Sequence, residues 1–324
     1  MICLGIESTA HTFGIGIAKE KKILANIYDS YTTEKGGIIP IEAARHHEAV
    51  KDAVIKNALK EADISLKDID IIAYSRGPGL APCLLVGMQK AKELSKRLNV
   101  PLVGVNHCIA HLEIGKLLTK AKDPVLLYVS GANTQVIAYA AGKYRIFGET
   151  LDMGVGNFID AFARYAGLGF PGGPKIAELA SKGKFIELPY SVKGMDVSFS
   201  GMLTNLKQKY DKGYKINDLA YSLQETAFAM LIEVSERAMA HLHKQELLLG
   251  GGVACNSRLQ KMASIMCRER HAKSFCPPKE FLADNGGMIA YLGLLQHKAG
   301  EKVSLKKANI MPYERTDDVK INYI

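Results

Sequence analysis

The chain opens with Ile2-Cys3-Leu4-Gly5-Ile6-Glu7-Ser8-Thr9-Ala10, an apolar strand that runs into a turn of small and polar residues. Two further strand patterns, at 12–19 and 22–29, follow at once and predict an antiparallel meander. The same order returns as the strand Val125-Leu126-Leu127-Tyr128-Val129, the turn Ser130-Gly131-Ala132-Asn133-Thr134 and two more strands. The chain therefore repeats its own architecture.

Each meander is followed by alternating strands and helices. Helical patterns cover 41–62, 84–98, 106–120 and 217–243, with a helical region through about 182 and further helices from about 255 and 284. Single strands are predicted at 69–75, 102–105, 246–249 and 273–276, with a loop-rich insert before 217. This alternation indicates an α/β fold with a mixed sheet in each of two lobes. We predict an N-terminal lobe of residues 1–103, completed by the segment 300–324, and a C-terminal lobe of residues 104–299 with inserted helices.

The composition is that of an ordinary globular protein, with 324 residues, of which 48% are hydrophobic. No apolar run approaches the roughly 18 residues of a membrane helix, so we expect a soluble, cytoplasmic protein without membrane contact. The six cysteines have no paired spacing, which argues against a disulfide framework or a cysteine zinc site. The net charge of +9 favours a polyanionic partner, although solubility alone would also account for it.

The segment His107-Cys108-Ile109-Ala110-His111 places two imidazoles four residues apart in a predicted helix. Residues at this spacing share one helix face, so both rings can bind one metal ion. The zinc-protease form of the pattern needs Glu directly after the first His as the general base, and that position is Cys108 here. The spacing therefore indicates a metal site but argues against protease chemistry. Taken alone, the pair is a weak signal, because histidines at this spacing are more often simply core or surface residues.

Three turns of small residues indicate a nucleotide. One lies around Ser8-Thr9, one around Ser130-Gly131, and the third is Gly250-Gly251-Gly252. Their backbone N–H groups and hydroxyls can bond phosphates, and glycine lets the backbone approach a ribose or a base closely. Singly, each is most simply a tight structural turn. Together they predict a nucleotide cleft between the lobes, while the absence of GxxxxGK[ST] and GxGxxG disfavours P-loop and Rossmann sites.

A series of short motifs runs in order through nearly the whole chain. They are Gly5-Ile6-Glu7-Ser8-Thr9-Ala10-His11-Thr12, Lys35-Gly36-Gly37-Ile38, Gly77-Pro78-Gly79-Leu80, Val105-Asn106-His107-Cys108-Ile109-Ala110-His111, Tyr128-Val129-Ser130-Gly131, Gly148-Glu149-Thr150-Leu151-Asp152, Phe170-Pro171-Gly172-Gly173-Pro174, Ser198-Phe199-Ser200-Gly201, Gly251-Gly252-Val253-Ala254-Cys255-Asn256 and Asp284-Asn285-Gly286. In these motifs the chain resembles the universal tRNA threonylcarbamoyladenosine transferases, the catalytic subunit of the archaeal and eukaryotic KEOPS complex. The form Ala10-His11-Thr12 resembles the archaeal and eukaryotic branch.

The resemblance implies the two-lobed fold of actin, Hsp70 and the sugar kinases (the ASKHA fold), with a nucleotide cleft between duplicated lobes. It implies a metal-dependent enzyme that transfers the threonylcarbamoyl group of threonylcarbamoyl-AMP and releases AMP. The acceptor would be the exocyclic N6 amine of the adenosine 3′ of the anticodon in ANN-decoding tRNAs. Such a substrate agrees with a basic protein that carries a nucleotide cleft.

The resemblance also implies the site residues. One divalent or trivalent metal, iron or zinc, would be held by His107, His111, Tyr128 and Asp284. The adenine nucleotide (threonylcarbamoyl-AMP, ATP or AMP) would contact Tyr128, Val129, Ser130, Gly131, Ala132, Asp160, Gly173 and Asn256. Further candidates are Glu7, Ser8, Thr9, His11, Glu178, Gly251 and Gly252. No side chain is an obvious general base.

Four of these residues have a simpler structural interpretation. Tyr128 can be a buried strand aromatic, Asp284 and Asn256 can be helix N-caps, and Asp160 can be a solvated helix residue. The chain also departs from the family pattern: Ala132 and Ala81 replace Gly, Ala177 replaces a ribose-binding carboxylate, and Gly287 replaces Ala. An Ala132 with positive φ would cost on the order of 1 kcal/mol.

The resemblance implies as partners a kinase-like ATPase subunit, a small dimerising subunit and a small regulatory subunit, together with tRNA. Two other functions suit the same fold: an ATP-dependent phosphotransferase and a nucleotide-regulated binding subunit. Fold alone does not separate these functions. The pair His107 and His111 does, because neither alternative needs a metal site of this kind.

Overall fold

The computed structural model describes residues 1–33 and 37–324, and each half of the chain forms a five-stranded sheet. The strands of the first sheet are β1 (Ile2–Glu7), β2 (Thr12–Lys19), β3 (Lys22–Ser30), β4 (Ile71–Gly77) and β5 (Leu102–Asn106). Those of the second are β6 (Val125–Val129), β7 (Thr134–Ala140), β8 (Lys143–Glu149) and, after a hairpin of β9 (Val192–Lys193) and β10 (Asp196–Val197), β11 (Glu246–Gly250) and β12 (Lys273–Phe275). The motif Lys35-Gly36-Gly37-Ile38 lies partly outside the described residues.

The helices fill the remainder of both halves. They are α1 (Pro40–Glu61), α2 (Ala81–Leu98), α3 (His107–Thr119), α4 (Val155–Tyr165), α5 (Gly172–Ala180), α6 (Ser200–Asp211), α7 (Ile216–His241), α8 (Ser257–Glu269), α9 (Lys279–Leu282) and α10 (Gly286–Lys298). Short 3-10 helices lie at Leu66–Asp68, Gly252–Cys255 and Thr316–Asp318. Within the described residues, no helix combines the length and the apolar character needed to cross a membrane.

The two sheets have the same topology. The strand order of the first is β3-β2-β1-β4-β5, and that of the second is β8-β7-β6-β11-β12. In each, the opening meander is antiparallel, and the first strand of the meander pairs in parallel with the strand that follows the helices. The predicted duplication and the α/β fold class are therefore confirmed.

Strand alternation divides the apolar residues among stacked layers. In β1, Leu4 and Ile6 face a core shared with α1 and α2, whereas Cys3 faces a core shared with α3 and α10. Such alternation is expected of strands covered on both faces. The second sheet is likewise covered on one face by α3 and on the other by a core that includes α4 to α8. The order of layers is helices, sheet, helix pair, sheet, helices.

The central helix pair crosses between the halves. α3 follows the first sheet but packs against β11 of the second, while α10 follows the second sheet but packs against β1 and β2 of the first. A division of the chain after residue 103 cuts β5, which stays in the first sheet through Asn106. The C-terminal segment begins on the first sheet, where Val303 forms a β-bridge with Leu102. The lobe boundaries therefore remain a prediction. The exchange of α3 and α10 between the halves is a feature that those boundaries do not include.

The predicted loop-rich insert contains regular structure. It holds the hairpin of β9 and β10 and the helix α6, and the predicted helical region before it is divided into α4 and α5. α6 buries only Met202, Leu203 and Leu206, so its apolar stripe is too short to give a clear helical period. The helical conformation of α6 therefore depends on its packing against α4 and α7, because its own sequence pattern does not specify a helix clearly.

Backbone lies directly against backbone where α10 crosses the first sheet. A Cβ atom at Gly16 of β2 would lie 2.1 Å from the Gly287 nitrogen, and one at Gly5 of β1 would lie 2.1 Å from the Ala290 nitrogen. Backbone atoms cannot move aside as a flexible side chain can, so no side chain fits at these positions. The glycines thus set how closely α10 approaches the sheet.

We expect Gly16→Ala to destabilise the protein by about 3 kcal/mol, because the added methyl group must push α10 off the sheet. The matched control is Gly201→Ala in α6, where no neighbouring atom of the described residues lies within 4 Å of the added Cβ. Because alanine is the better helix former, this control should be neutral or slightly stabilising. Urea unfolding of both variants measures the difference. Equal stability of the two variants would contradict the backbone contact.

Candidate metal and nucleotide site

The four predicted metal ligands meet where α3 and α10 begin. His107 is the first residue of α3, His111 lies one turn further, Tyr128 lies on β6, and Asp284 precedes α10. Both histidines and Tyr128 are buried, and the Asp284 side chain is mostly buried. The crossing of the two helices therefore brings four residues from α3, β6 and the segment before α10, 177 positions apart at the extremes (284 − 107), into one cluster.

Asparagines cap both helices next to the predicted ligands. The Asn106 Oδ1 accepts hydrogen bonds from the backbone N–H groups of Cys108 (3.0 Å) and Ile109 (3.1 Å). The Asn285 Oδ1 accepts one from the Met288 N–H (3.0 Å). The N-cap of α10 is thus Asn285 and not Asp284, so the simpler interpretation of Asp284 as a helix cap is wrong. Its carboxylate is left to face the histidines.

Distances within the cluster are those of donor atoms around one centre. The His107 Nε2 lies 3.0 Å from the Tyr128 hydroxyl and 3.3 Å from the Asp284 Oδ1. The His111 Nε2 lies 3.4 Å from the same Asp284 oxygen. One donor atom from each of His107, His111 and Asp284 lies within 4.8 Å of the others. Donors about 2.1 Å from one ion are at most about 4.2 Å apart, so small side-chain rotations suffice.

His111 provides the sharpest test of whether these residues suit a metal. Both of its ring nitrogens are buried, and neither has a hydrogen-bond partner among the described residues. The 3.4 Å approach of its Nε2 to Asp284 is a contact without hydrogen-bond geometry. An imidazole left without partners in a protein interior is costly, on the order of 1–3 kcal/mol. Coordination of a metal would satisfy one of these nitrogens, so the residues fit a mononuclear metal with nitrogen and oxygen ligands.

Glu7 holds the other side of the His107 ring. Its Oε2 lies 2.9 Å from the His107 Nδ1, and its Oε1 accepts hydrogen bonds from the Thr9 N–H (2.7 Å) and hydroxyl (2.6 Å). This is the carboxylate–histidine arrangement that fixes the orientation of metal-binding imidazoles. The sequence predicts Glu7 and Thr9 only as further candidate site residues, not as partners of a metal ligand. The strand–turn motif does not predict the contact between Glu7 and His107, because these residues lie 100 positions apart in the chain.

The electrostatics of the cluster keep Asp284 ionised. Burial by itself raises the pKa of this carboxyl, but His107 and His111 lower that pKa well below its ordinary value. Burial is also the largest influence on His107, where it lowers the pKa, but Tyr128, Glu7 and Asp284 raise the pKa well above that of a free histidine. Burial lowers the pKa of His111. A neutral His111 and an ionised Asp284 are the forms that bind metals.

The turn after β6 forms one group of the predicted nucleotide contacts. The Ser130 N–H donates to the Asn133 carbonyl (2.8 Å), which closes the turn over Gly131 and Ala132. Gly251, with φ of +89°, lies beside this turn, since a Cβ there would be 2.3 Å from the Val129 carbonyl oxygen. Gly131, Ala132 and Gly252 are exposed. The structure therefore brings the second and third predicted turns together next to Tyr128.

Asp160 and Gly173 form a second group. The Asp160 Oδ1 accepts a hydrogen bond from the Gly172 N–H (2.7 Å). Burial raises the pKa of this carboxyl, while the Gly172 N–H, the Gly173 N–H and His11 lower that pKa less strongly. Asp160 is thus a half-buried residue of α4 whose carboxylate faces the start of α5, and it is not the solvated residue of the simpler interpretation. His11, from the first half of the chain, is near enough to influence this carboxyl electrostatically.

Asn256 and Glu178 are placed differently. The Asn256 Oδ1 accepts from the Arg258 N–H (2.8 Å), so this residue caps α8, and its Nδ2 donates to the Gln224 side chain (2.9 Å). The simpler interpretation as an N-cap is therefore correct, and its amide already has partners at both ends. Glu178 is exposed on α5. Ser8 is buried, and its hydroxyl has no partner among the described residues.

Comparison with known proteins identifies the family. Residues 22–291 match the family tRNA N6-adenosine threonylcarbamoyltransferase. The chain belongs to this family. A protein of that name from Thermococcus sibiricus is 56% identical over the full length of both chains. A "probable bifunctional tRNA threonylcarbamoyladenosine biosynthesis protein" from Methanocaldococcus jannaschii is 54% identical over all of this chain and 61% of its own length.

A solved structure supports the fold independently. Full-length HypF in a phosphate- and nucleotide-bound form is similar with a TM-score of 0.64 at 13% identity. The similarity covers 93% of this chain and 46% of HypF. At this identity the likeness concerns the fold alone, and it agrees with the predicted two-lobed architecture.

The departures from the threonylcarbamoyltransferase pattern carry little strain. Neither Ala132 nor Ala81 is among the described residues with positive φ, so alanine at these positions has no conformational cost of the kind expected. Gly287 lies under the side chains of Phe281 and Ile23, and an added Cβ would approach them to 3.2 and 3.3 Å. Nothing in the structure explains Ala177.

We expect His111→Ala and Asp284→Asn to lower the zinc or iron content of the purified protein at least about tenfold, because each removes a ligand from a mononuclear site. His241→Ala, at an exposed position on α7, is the control and should retain wild-type metal content. Elemental analysis of protein purified with and without air makes the comparison. Wild-type content in His111→Ala would exclude this cluster as the metal site.

Glu7→Gln tests the orientation of the His107 ring. Glutamine keeps the size of the side chain but removes the charge that faces the imidazole, so we expect metal affinity to fall about 10- to 100-fold. Competition against a chromogenic chelator measures the affinity. The control is Glu42→Gln, which removes a partly exposed carboxylate whose ion pair, among the described residues, is with Arg45 in α1. If both variants bind metal equally, Glu7 has no role in holding His107.

Proposed function

We propose that this chain transfers the threonylcarbamoyl group of threonylcarbamoyl-AMP to the N6 amine of an adenosine in tRNA, the one 3′ of the anticodon in ANN-decoding tRNAs. Membership in the family supports the reaction type. The observation that carries the proposal is the buried cluster of His107, His111, Tyr128 and Asp284, which lies directly beside the turn after β6. The proposed metal ligand Tyr128 lies on β6, and the proposed phosphate-binding turn directly follows that strand.

These four residues would hold one metal, iron or zinc. Bound there, the metal would supply a Lewis acid that polarises the carbamoyl carbonyl and neutralises phosphate charge. Tyr128 is the ligand whose state matters most, since burial raises the pKa of its phenol. Tyr128 can therefore become a phenolate only if a strong positive charge, such as a metal ion, lies beside it. A polar core held by hydrogen bonds alone would leave the phenol protonated.

The chain's own residues would bind and orient the nucleotide. The turn at Ser130-Gly131-Ala132 would present backbone N–H groups to the phosphate, and the Gly251 backbone closes the same turn from the side. Asp160 would accept a hydrogen bond from a ribose hydroxyl with the oxygen not engaged by the Gly172 N–H. Gly173 lies beside this carboxylate, and among the described residues no neighbouring atom lies within 4 Å of a Cβ position there, which leaves room for a sugar.

We infer that the enzyme works with partner subunits of the KEOPS type and, because its substrate is tRNA, in the cytoplasm. The bifunctional Methanocaldococcus jannaschii relative supports a partner, because this chain matches only 61% of that protein. The proposed subunits are a kinase-like ATPase, a small dimerising subunit and a small regulatory subunit. The alternatives, phosphotransferase and nucleotide-regulated binding subunit, gain no specific support from the cluster, since neither needs His107 and His111.

Reconstituted transfer tests the proposal. The purified chain is combined with partner subunits, tRNA, threonine, bicarbonate, ATP and the separate enzyme that makes the adenylate, and modified nucleoside is measured. We expect His107→Ala and His111→Ala to lower the rate at least about 100-fold, because the loss of a ligand removes the Lewis acid. The control His241→Ala should match wild type.

The outcomes separate two questions. No modification by wild type in the complete mixture would contradict the transferase. Undiminished modification by both His variants would retain the transferase but exclude the metal from its mechanism.

A further inference from the structure

The segment from Asn309 to Val319, called here the C-terminal strap, is bound to the first sheet at its start. The Tyr74 hydroxyl donates to the Asn309 carbonyl (3.0 Å), and the Met311 N–H donates to the Arg76 carbonyl (2.6 Å). The strap then reaches the second sheet, where the Lys143 ammonium donates to the Asp317 carbonyl (2.9 Å). It therefore joins β4 to β8 and passes the start of α3 on the way.

Glu314 is the buried charge of the strap. Only 4% of its side chain is exposed. The Arg76 guanidinium binds both carboxylate oxygens, at 2.7 Å to Oε1 and 3.1 Å to Oε2. The Asn106 Nδ2 donates a further hydrogen bond to Oε2 (3.1 Å). A carboxylate that is buried with these donors is fully engaged and rigidly placed.

Asn106 links Glu314 to the candidate metal site. One end of its amide, Oδ1, caps α3 at the N–H groups of Cys108 and Ile109, and the other end, Nδ2, is held by Glu314. The two ends of an asparagine amide have nearly the same shape, so only their partners fix which end faces the helix. With Glu314 absent, the amide is free to rotate and the cap is lost part of the time.

The other asparagine caps show that the amide nitrogen needs a partner. The Asn285 Nδ2 donates to the Ala283 carbonyl (2.8 Å), and the Asn256 Nδ2 donates to the Gln224 side chain (2.9 Å). Both partners are neutral. Asn106 alone of these three caps has a charged partner, and that partner lies 208 positions away in the chain.

We propose that Glu314 is a positioning residue for the metal site. Through Asn106 it holds the first turn of α3, so that His107 and His111 face Asp284. The presence of a metal at this site rests on the proposed function. The capping of α3 by Asn106 does not, because it is independent of any ion. It assigns to the C-terminal strap a part in the reaction of the enzyme in addition to its structural contacts.

Two measurements on Glu314→Ala test this proposal. The first is hydrogen exchange at the Cys108 and Ile109 amides, which we expect to become about fivefold faster, the usual effect of a lost N-cap. The Arg258 and Leu259 amides, capped by Asn256, are the internal reference and should not change. The second is zinc release to a chelator, which should become about tenfold faster. Glu314→Gln keeps an acceptor oxygen for Asn106 and should restore both rates toward wild type.

Glu301→Ala is the matched control. Glu301 is another partly buried carboxylate of the C-terminal segment that accepts a hydrogen bond from an asparagine amide, Asn322 (3.2 Å), but Asn322 caps no helix. Its substitution should leave both rates unchanged. If Glu301→Ala changes them as much as Glu314→Ala does, the effect is one of general stability and the proposal is overturned.

A second variant removes the link without leaving a buried charge. In the double substitution Arg76→Met and Glu314→Leu, an apolar pair replaces the ion pair, a change that often preserves stability. It tests the link even if Glu314→Ala does not fold. Wild-type exchange at Cys108 and Ile109 in this variant would overturn the proposal. If wild-type protein binds no zinc, the metal site of the proposed function fails, but the exchange measurement still decides the role of Glu314.

Discussion

The architecture depends on the direct contact between the backbone of α10 and the backbone of β1 and β2. This contact needs glycine on both sides, at Gly16 of the strand and at Gly286 of the helix, and it leaves no space for any other residue type. Because α10 is held so closely, its N-terminus has one position above the first sheet. Asp284, just before that N-terminus, is thereby delivered to the histidines of α3. The geometry of the candidate metal site is thus a consequence of how one helix packs on one sheet.

The same crossing creates an electrostatic conflict. Two helices begin at the cluster, and the N-terminal end of a helix carries partial positive charge, which disfavours a cation. Asp284 and Glu7 oppose it with carboxylates, one aimed at the centre of the cluster and one at the far side of His107. The asparagine caps remove further positive character by accepting the first N–H groups of each helix. A site of this kind suits a metal that also binds an anion, since the helix ends then favour the phosphate and the carboxylates favour the ion.

Local patterns were sufficient to predict the duplicated meander, the alternation of strands and helices and the pair His107 and His111, because each depends on neighbouring residues. Tyr128 and Asp284 required resemblance to a family, since no spacing rule joins a strand residue to a loop over 150 positions away. The contact between Glu7 and His107 and the hydrogen bond between Glu314 and Asn106 likewise join residues far apart in the chain, by 100 and 208 positions. They arise from the crossing of elements, which no periodicity encodes. α6 was missed for a different reason, its short apolar stripe.

The exchange of α3 and α10 between the halves also bears on how the chain reaches its native state. The first sheet is complete by Asn106, yet the helix that covers its inner face ends only at Lys298. During synthesis, the face of β1 and β4 that α10 covers therefore stays exposed until most of the chain has been made. Contacts between residues so far apart in sequence form slowly, and hydrophobic surface that is prone to aggregation stays exposed until they form. The first sheet therefore cannot complete its packing until the last quarter of the chain, which contains α10, has been made.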